Sequence, residues 1–300
     1  MIKKAFIEKT ANIVFLICAV AAVFAVCAIT FYVFIKGTPA LKEVGVCDLL
    51  FETVWKPTAA EPSYGIGYII LTSVAGTGAA VLTGVPIGLL TAVFLSEMAG
   101  KRAGSVVHGA VELLAAIPSV IYGLIGMMIL NSLMFKLEKA LFAGDPSHQY
   151  TGGANMLSAV IVLAVMILPT VISVSTSALK SVPDSLRAAS YALGATKEQT
   201  IFKTVIPAAK SGILTGAVLG TGRALGEAMA INMVAGGAVN IPFPFNSVRT
   251  LTTQIASEMG YAGGTHRDVL FTVGLVLYVF ILIVNFVLLK ARKAGAQLGS

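Results

Sequence analysis

The sequence predicts an all-α membrane protein with six transmembrane helices and both termini in the cytoplasm, and three observations carry that prediction. Of the 300 residues 57% are hydrophobic and only 12% charged, with a mean hydropathy of +0.89, which leaves too little polar surface for an outside that faces water. The apolar residues are gathered into runs close to the ~20 residues a helix needs to cross the hydrocarbon core. The basic residues are also sided. Thirteen of the 21 Lys and Arg fall in segments assigned to the cytoplasm and seven in outer loops, with Arg223 inside a span, as the positive-inside rule requires. Six spans with their loops fill the chain, so no nucleotide-binding or other enzymatic domain is expected in it.

In order, residues 1–12 form a cytoplasmic N-terminus carrying Lys3, Lys4 and Lys9, and 13–35 form the first span. That run is longer than the core of a signal peptide, so it is read as retained. Residues 36–65 are an outer loop broken by Pro39, Pro57 and Pro62, with a short interfacial helix setting Phe51 and Trp55 at the headgroups. The core of the chain runs over 66–290. Its span two, 66–95, is overlong and holds Pro86, which predicts a tilted, bent helix. Glu97, Lys101 and Arg102 mark an inner turn. Span three covers 111–134 with Pro118 near its inner end, and span four covers 157–178, interrupted by Pro169. A polar, basic segment at 180–212 precedes span five at 213–235, an outer loop at 236–268 and span six at 269–289. A basic tail, 290–300, closes the chain.

The net charge of +7 is read as topology rather than as a nucleic-acid surface, because no basic cluster lies on a soluble face; membrane lipid is the expected surroundings. Cys18, Cys27 and Cys47 are odd in number and form no CxxC, so neither a disulfide framework nor a zinc site is expected. Glu112 beside His108 reads as a surface carboxylate near a helix start rather than a proton relay. His148 and His266 lie in outer loops with no partner visible in the sequence. Ser173, Ser175, Thr176 and Ser177 either line an inner mouth or bond back to helix carbonyls, and both readings stay open.

The segment 180–212 reads SVPDSLRAASYALGATKEQTIFKTVIPAAKSGILTG from Ser181 onward. Pro183, Asp184 and Ser185 start a helix, Gly194 lets the backbone turn, and a second short helix over Lys197–Val205 is expected to end at Pro207. The small residues Ala188, Ala189 and Ser190 let another protein surface approach. The pattern of small residues, Gly194, then Ile206 and Pro207, resembles the EAA loop of ABC importer permeases. In that family the loop forms a coupling helix that docks on the ATPase subunit, so the resemblance implies the same role here. Ala188 stands where the motif usually carries Glu, which leaves an acidic contact with the ATPase open.

Span five contains ILTGAVLGTGRALGEAMAINMVAGG. Arg223 and Glu227 are four apart and would share one helical face. A lone charge at the bilayer centre costs ~2.5–3.5 kcal/mol on insertion scales, so the pair is either functional or a register lock. The functional reading rests on the guanidinium, whose planar donors match phosphate oxygens. Gly216, Gly220, Gly222 and Gly226 would give that face little bulk.

Arg-Ala-Leu-Gly-Glu at 223–227, Met-Val-Ala-Gly-Gly at 233–237, Leu-Leu-Ala-Ala-Ile-Pro-Ser-Val-Ile-Tyr-Gly at 113–123 and Leu-Thr-Thr-Gln-Ile-Ala at 251–256 together resemble the PstC-type permeases of phosphate importers. That resemblance implies a MetI-like, type I ABC importer permease fold. It also implies a PstA-type second permease, a PstB-type ATPase dimer and a PstS-type phosphate-binding protein as partners, with inorganic phosphate as substrate. No cofactor is expected on this chain; ATP and magnesium belong to the ATPase. The sequence has no G-x-x-x-x-G-K-[ST] loop and no HExxH motif, so it is expected not to be an enzyme. A permease for sulfate, molybdate or phosphonate, and a secondary anion transporter, are the alternatives left standing.

Overall fold

The computed structural model describes residues 2–297; for residues 2–9, 101 and 291–297 the backbone alone is described. The basic side chains expected at the two ends, Lys3, Lys4, Lys9, Arg292 and Lys293, and the extremities of segments 1–12 and 290–300, therefore lie outside the described residues. α1 (Ile2–Glu43) is one apolar helix that runs through Pro39. α2 (Val46–Phe51) follows, then a small hairpin, β1 (Trp55–Lys56) paired antiparallel with β2 (Ser63–Tyr64). α3 (Gly67–Val93) passes through Pro86 and continues as a π-helical turn over Phe94–Met98.

Among the described residues, five helical stretches are long and apolar enough to cross a membrane: Thr10–Glu43, Gly67–Met98, Ser119–Leu141, Met156–Lys180 and Gly264–Lys290. Span three is not one helix over 111–134. α4 (Lys101–Ala116) stops at Ile117, and α5 (Ser119–Ile125) restarts after Pro118. The proline disfavours a helical Ile117, which is extended at φ −70° and ψ 124°. α5 then continues through a π-helical turn into α6 (Asn131–Leu141). Pro169 does not interrupt span four: α7 (Met156–Lys180) runs through it unbroken, with Pro169 buried.

α8 (Asp184–Ala192) and α9 (Lys197–Thr200) form the segment after α7. Pro207 does not end α9. A π-helical turn, Ile201–Val205, leads directly into α10 (Ile206–Gly226), with Pro207 in its first turn, where the missing N–H is tolerated. Span five is divided: α10 ends at Gly226 and α11 (Met229–Val234) begins two residues beyond Glu227. α12 (Leu251–Glu258) and the long α13 (Gly264–Gln297) complete the chain. α13 begins five residues before the expected start of span six.

α3, α7 and α10 form the centre, around Ala80, Leu163, Met166, Ile167 and Ala224. The glycines of α10 divide between two faces. A Cβ at Gly212 would strike Ala178, one at Gly216 would lie 3.2 Å from Ser175, and one at Gly220 would lie 2.9 Å from Val171, all on α7, whereas Gly222 and Gly226 face open space. A second core joins α1, α2, α12 and α13 at one end, through Ala40, Leu49, Ile66, Leu251 and Val269. A third, at the end that carries α8, packs Val93, Leu179, Val182, Ile201 and Val205. α1 lies outside, touching α13 by an edge-on Tyr32–Phe271 contact at 5.8 Å and a Thr272 hydroxyl donating to the Gly37 carbonyl at 2.7 Å. Most large side chains of its described apolar run are exposed: Phe15 is 70% and Phe24 72% accessible, as a lipid-facing helix requires.

Candidate functional site

Two features of the chain carry chemistry that a packed bundle does not need. The first is the knob formed by α8 and α9. No residue of α8 is buried: Ala188 and Ala189 are exposed, Ser190 is half-buried, and Leu193 is 89% accessible. Gly194 sits at φ +81° with open space where a Cβ would be, in the left-handed region that costs other residues ~1–2 kcal/mol. It reverses the chain between α8 and α9. Thr196 and Gln199 close a reciprocal cap at the start of α9, and the Ser190 and Thr200 hydroxyls bond across the turn at 2.9 Å. Ile206, half-buried, and Pro207, exposed, stand where the knob joins α10.

Arg187 anchors this knob. Its Nη2 donates to Glu97 Oε1 at 2.7 Å and to the Leu179 carbonyl at 3.0 Å. Its Nη1 donates to the Val182 carbonyl at 2.6 Å and to Asp184 at 3.2 Å, and its Nε reaches Glu97 Oε2 at 3.3 Å. The hydrogen bond with the Glu97 carboxylate holds the Arg187 pKa above its usual value. One side chain thus ties α8 to the end of α7 and to the π-helical turn after α3.

The second feature is the break in span five. Arg223 lies one turn before the end of α10. Gly220 abuts Val171 and Ile167, near the midpoint of α7, which puts Arg223 near mid-bundle. Its guanidinium is half-buried and makes no hydrogen bond or ion pair among the described residues. The expected pairing with Glu227 is therefore corrected. Glu227 does not continue the helix; it is extended, at φ −73° and ψ 124°, and the i,i+4 relation holds only within one helix. Its Oε1 instead accepts the Ala230 N–H at 2.9 Å, serving an orphan donor at the start of α11. Its carbonyl accepts the Thr252 hydroxyl at 2.8 Å. Glu227 also lines a narrow cavity of about 20 Å³ with Thr72, Thr77, Thr250 and Thr252. The Thr72 hydroxyl there is buried with no hydrogen-bond partner among the described residues.

Comparison with known proteins decides the family. Residues 84–292 match the family described as binding-protein-dependent transport system inner membrane component. The chain is 38% identical over 285 residues to the probable ABC transporter permease protein YqgH of Bacillus subtilis, covering 92% of this chain and 88% of that protein. The chain belongs to this family of permeases.

The permease is also 33% identical over 279 residues to the phosphate transport system permease protein PstC of Xylella fastidiosa, with 86% and 84% of the two chains covered. Its fold is similar to that of the inward-facing MetNI methionine ABC transporter, with a TM-score of 0.54 at 23% identity over 75% of this chain and 93% of that one. It is therefore a multi-pass membrane protein with the MetI-like type I importer architecture. It is a permease subunit and not an enzyme; ATP hydrolysis lies with a partner, and the family is that of binding-protein-dependent transport systems.

Sequence reasoning missed the Arg187–Glu97 anchor, whose members are 90 positions apart in the chain. The only signal was that both were charges in segments the sequence assigns to the same side of the membrane. It also missed a buried carboxylate at the far end of the permease. Glu258 accepts the Trp55 indole N–H at 3.0 Å, bonds His266 at 2.8 Å and pairs with Arg249. Trp55 is therefore turned inward rather than toward headgroups. His148 similarly bonds the fully buried Glu138 at 3.0 Å and stacks on Phe142. The two histidines that had no partner visible in the sequence each hold a buried carboxylate.

Proposed function

We propose that this permease is the PstC-type membrane subunit of an ATP-driven inorganic phosphate importer. In this reading it forms half of the translocation pathway and crosses a bacterial or archaeal cell membrane six times, with both termini in the cytoplasm and α10–α11 as the fifth crossing, the divided one. Its partners are a PstA-type permease, a PstB-type ATPase dimer and a PstS-type binding protein. This chain carries no cofactor; ATP and magnesium sit on the ATPase.

The observation that carries the reading is Arg223: a permanent cation near mid-bundle that makes no hydrogen bond or ion pair among the described residues, beside the open positions Gly222 and Gly226. A guanidinium offers a fork of donors that matches a tetrahedral oxyanion and keeps its charge at any physiological pH. Glu227 fixes the helix break through Oε1, and its second oxygen can accept a hydrogen bond from the hydroxyl of hydrogenphosphate. Sulfate, which is fully deprotonated at neutral pH, would meet that carboxylate as a like charge. At the other functional region, Ala188, Ala189, Ser190 and Gly194 present the knob to the ATPase, and Ile206 and Pro207 carry its movement into α10.

The test is uptake by vesicles that contain the permease with its three partners. Accumulation of labelled orthophosphate that requires ATP and the binding protein, and that excess sulfate or molybdate does not compete away, is the expected result. ATP-driven accumulation of another oxyanion in place of phosphate would refute the substrate assignment. Accumulation without the ATPase would refute the mechanism.

A further inference from the structure

At the end of the bundle that carries α8, a cavity of about 280 Å³ opens between the start of α4 and the end of α7. Among the described residues its lining holds no acidic side chain; it includes Gly100, Gly104, Ser105, His108, Thr176 and Lys180. Three independent features converge on it. α4 is 16 residues long and begins at Gly100 with no side-chain cap, so its first amides have no acceptor within the helix and the positive end of its dipole points outward. Thr176 is 6% accessible, and its hydroxyl oxygen is buried with no hydrogen-bond partner among the described residues. A buried hydroxyl left unbonded keeps its full desolvation penalty. Its exposed neighbour Ser177 donates back to the Ser173 carbonyl at 2.9 Å, so one of the two open readings of this serine-rich turn holds for Ser177 and the other for Thr176. Lys180, one turn further on α7, adds a fixed positive charge at the rim. His108 is held by Glu112 at 3.2 Å on the exposed side of α4.

We propose that this cavity is a second oxyanion site, distinct from the Arg223 pathway, which takes a phosphate group carried free or on a lipid headgroup. The unbonded amides of α4, the Thr176 hydroxyl and the Lys180 ammonium supply donors from two helices to one tetrahedral anion. The site bridges α4 to the foot of α7, two turns before the knob. The assignment rests on the geometry of this end alone and does not need the chain to transport phosphate.

The experiment uses the full-length permease in the Arg223→Ala background, so that the pathway cation is absent. In phosphatidylcholine nanodiscs, binding of labelled orthophosphate is measured by equilibrium dialysis. In detergent, retention of phosphatidylglycerol against phosphatidylcholine is measured by native mass spectrometry. Thr176→Val keeps the side-chain volume and removes the buried hydroxyl; Lys180→Gln removes an exposed charge and is the variant least able to disturb folding. At least fivefold weaker orthophosphate binding in both variants assigns the site to free phosphate. At least fivefold lower phosphatidylglycerol retention, with orthophosphate unaffected, assigns it to a lipid headgroup. If neither probe binds, or if both variants match the parent with both probes, the proposal is overturned. Because the parent already lacks Arg223, a failure here is separate from a failure of the transport reading.

Discussion

Arg187 and Arg223 carry the same guanidinium in opposite surroundings. Arg187, in the knob, donates to Glu97, Asp184 and two carbonyls from three elements. Arg223, beside the break in span five, donates to nothing among the described residues. The difference separates a cation that holds structure from one held available for a ligand. A saturated arginine fixes the position of the part that meets another protein, and an unsaturated one leaves donors for an anion that comes and goes. The comparison also accounts for Glu227. A carboxylate bonded to Arg223 would compete with the ligand, and the extended backbone at Glu227 turns that carboxylate to the start of α11 instead.

The contrast predicts a graded series in stability. The largest loss is expected for Arg187→Ala, which leaves Glu97, 10% accessible, without its partner. Removing one member of a buried ion pair costs about 3 kcal/mol, and the thermal midpoint of the purified permease should fall by several degrees. A double-mutant cycle with Glu97→Ala should return a coupling well above that of an exposed pair; additivity would show that the anchor is not an anchor. Next is Gly220→Ala, whose Cβ would lie 2.9 Å from Val171; overpacking of this kind costs about 2 kcal/mol. Gly226→Ala, which meets open space, should leave the midpoint within a degree of wild type or raise it. Equal behaviour of the two variants would contradict the division of the α10 glycines.

Gly194→Val is expected to cost about 1–2 kcal/mol from its φ of +81°, and its main effect should fall on coupling, with ATP hydrolysed by the assembled complex but less solute moved per ATP. An unchanged ratio would count against the knob as the coupling element. The smallest stability change is expected for Arg223→Ala, within about 0.5 kcal/mol, because no protein bond is lost.

Hydrophobic runs and charge siding made the membrane class and most helices legible, because lipid imposes a composition that neighbours cannot mask. The knob was legible for a similar reason: a positive-φ glycine and exposed small residues are local signals. Where helices stop inside the membrane was less legible. Pro118 ends one helix, yet Pro86 and Pro169 lie inside continuous ones, so a proline alone does not say whether the surrounding packing supports a break. The interruption at Glu227 carries no proline, and its partners, the Ala230 amide and the Thr252 hydroxyl, come from the segments that follow. Arg223 was found by its type and place, but its lack of a partner could be seen only once Glu227 was placed. Long-range pairs such as Arg187 with Glu97, or Trp55 with Glu258, have no periodicity to betray them.

The most direct test of an anion-binding Arg223 is ATP-driven uptake of labelled orthophosphate into vesicles containing the assembled transporter, compared between wild type and Arg223→Ala at matched assembly and thermal midpoint. A charged hydrogen-bonding partner removed from a ligand site costs ~2–5 kcal/mol, so uptake should fall on the order of 100-fold while the complex remains intact and Arg223→Lys restores part of the rate. Wild-type uptake by the intact Arg223→Ala complex would contradict the account.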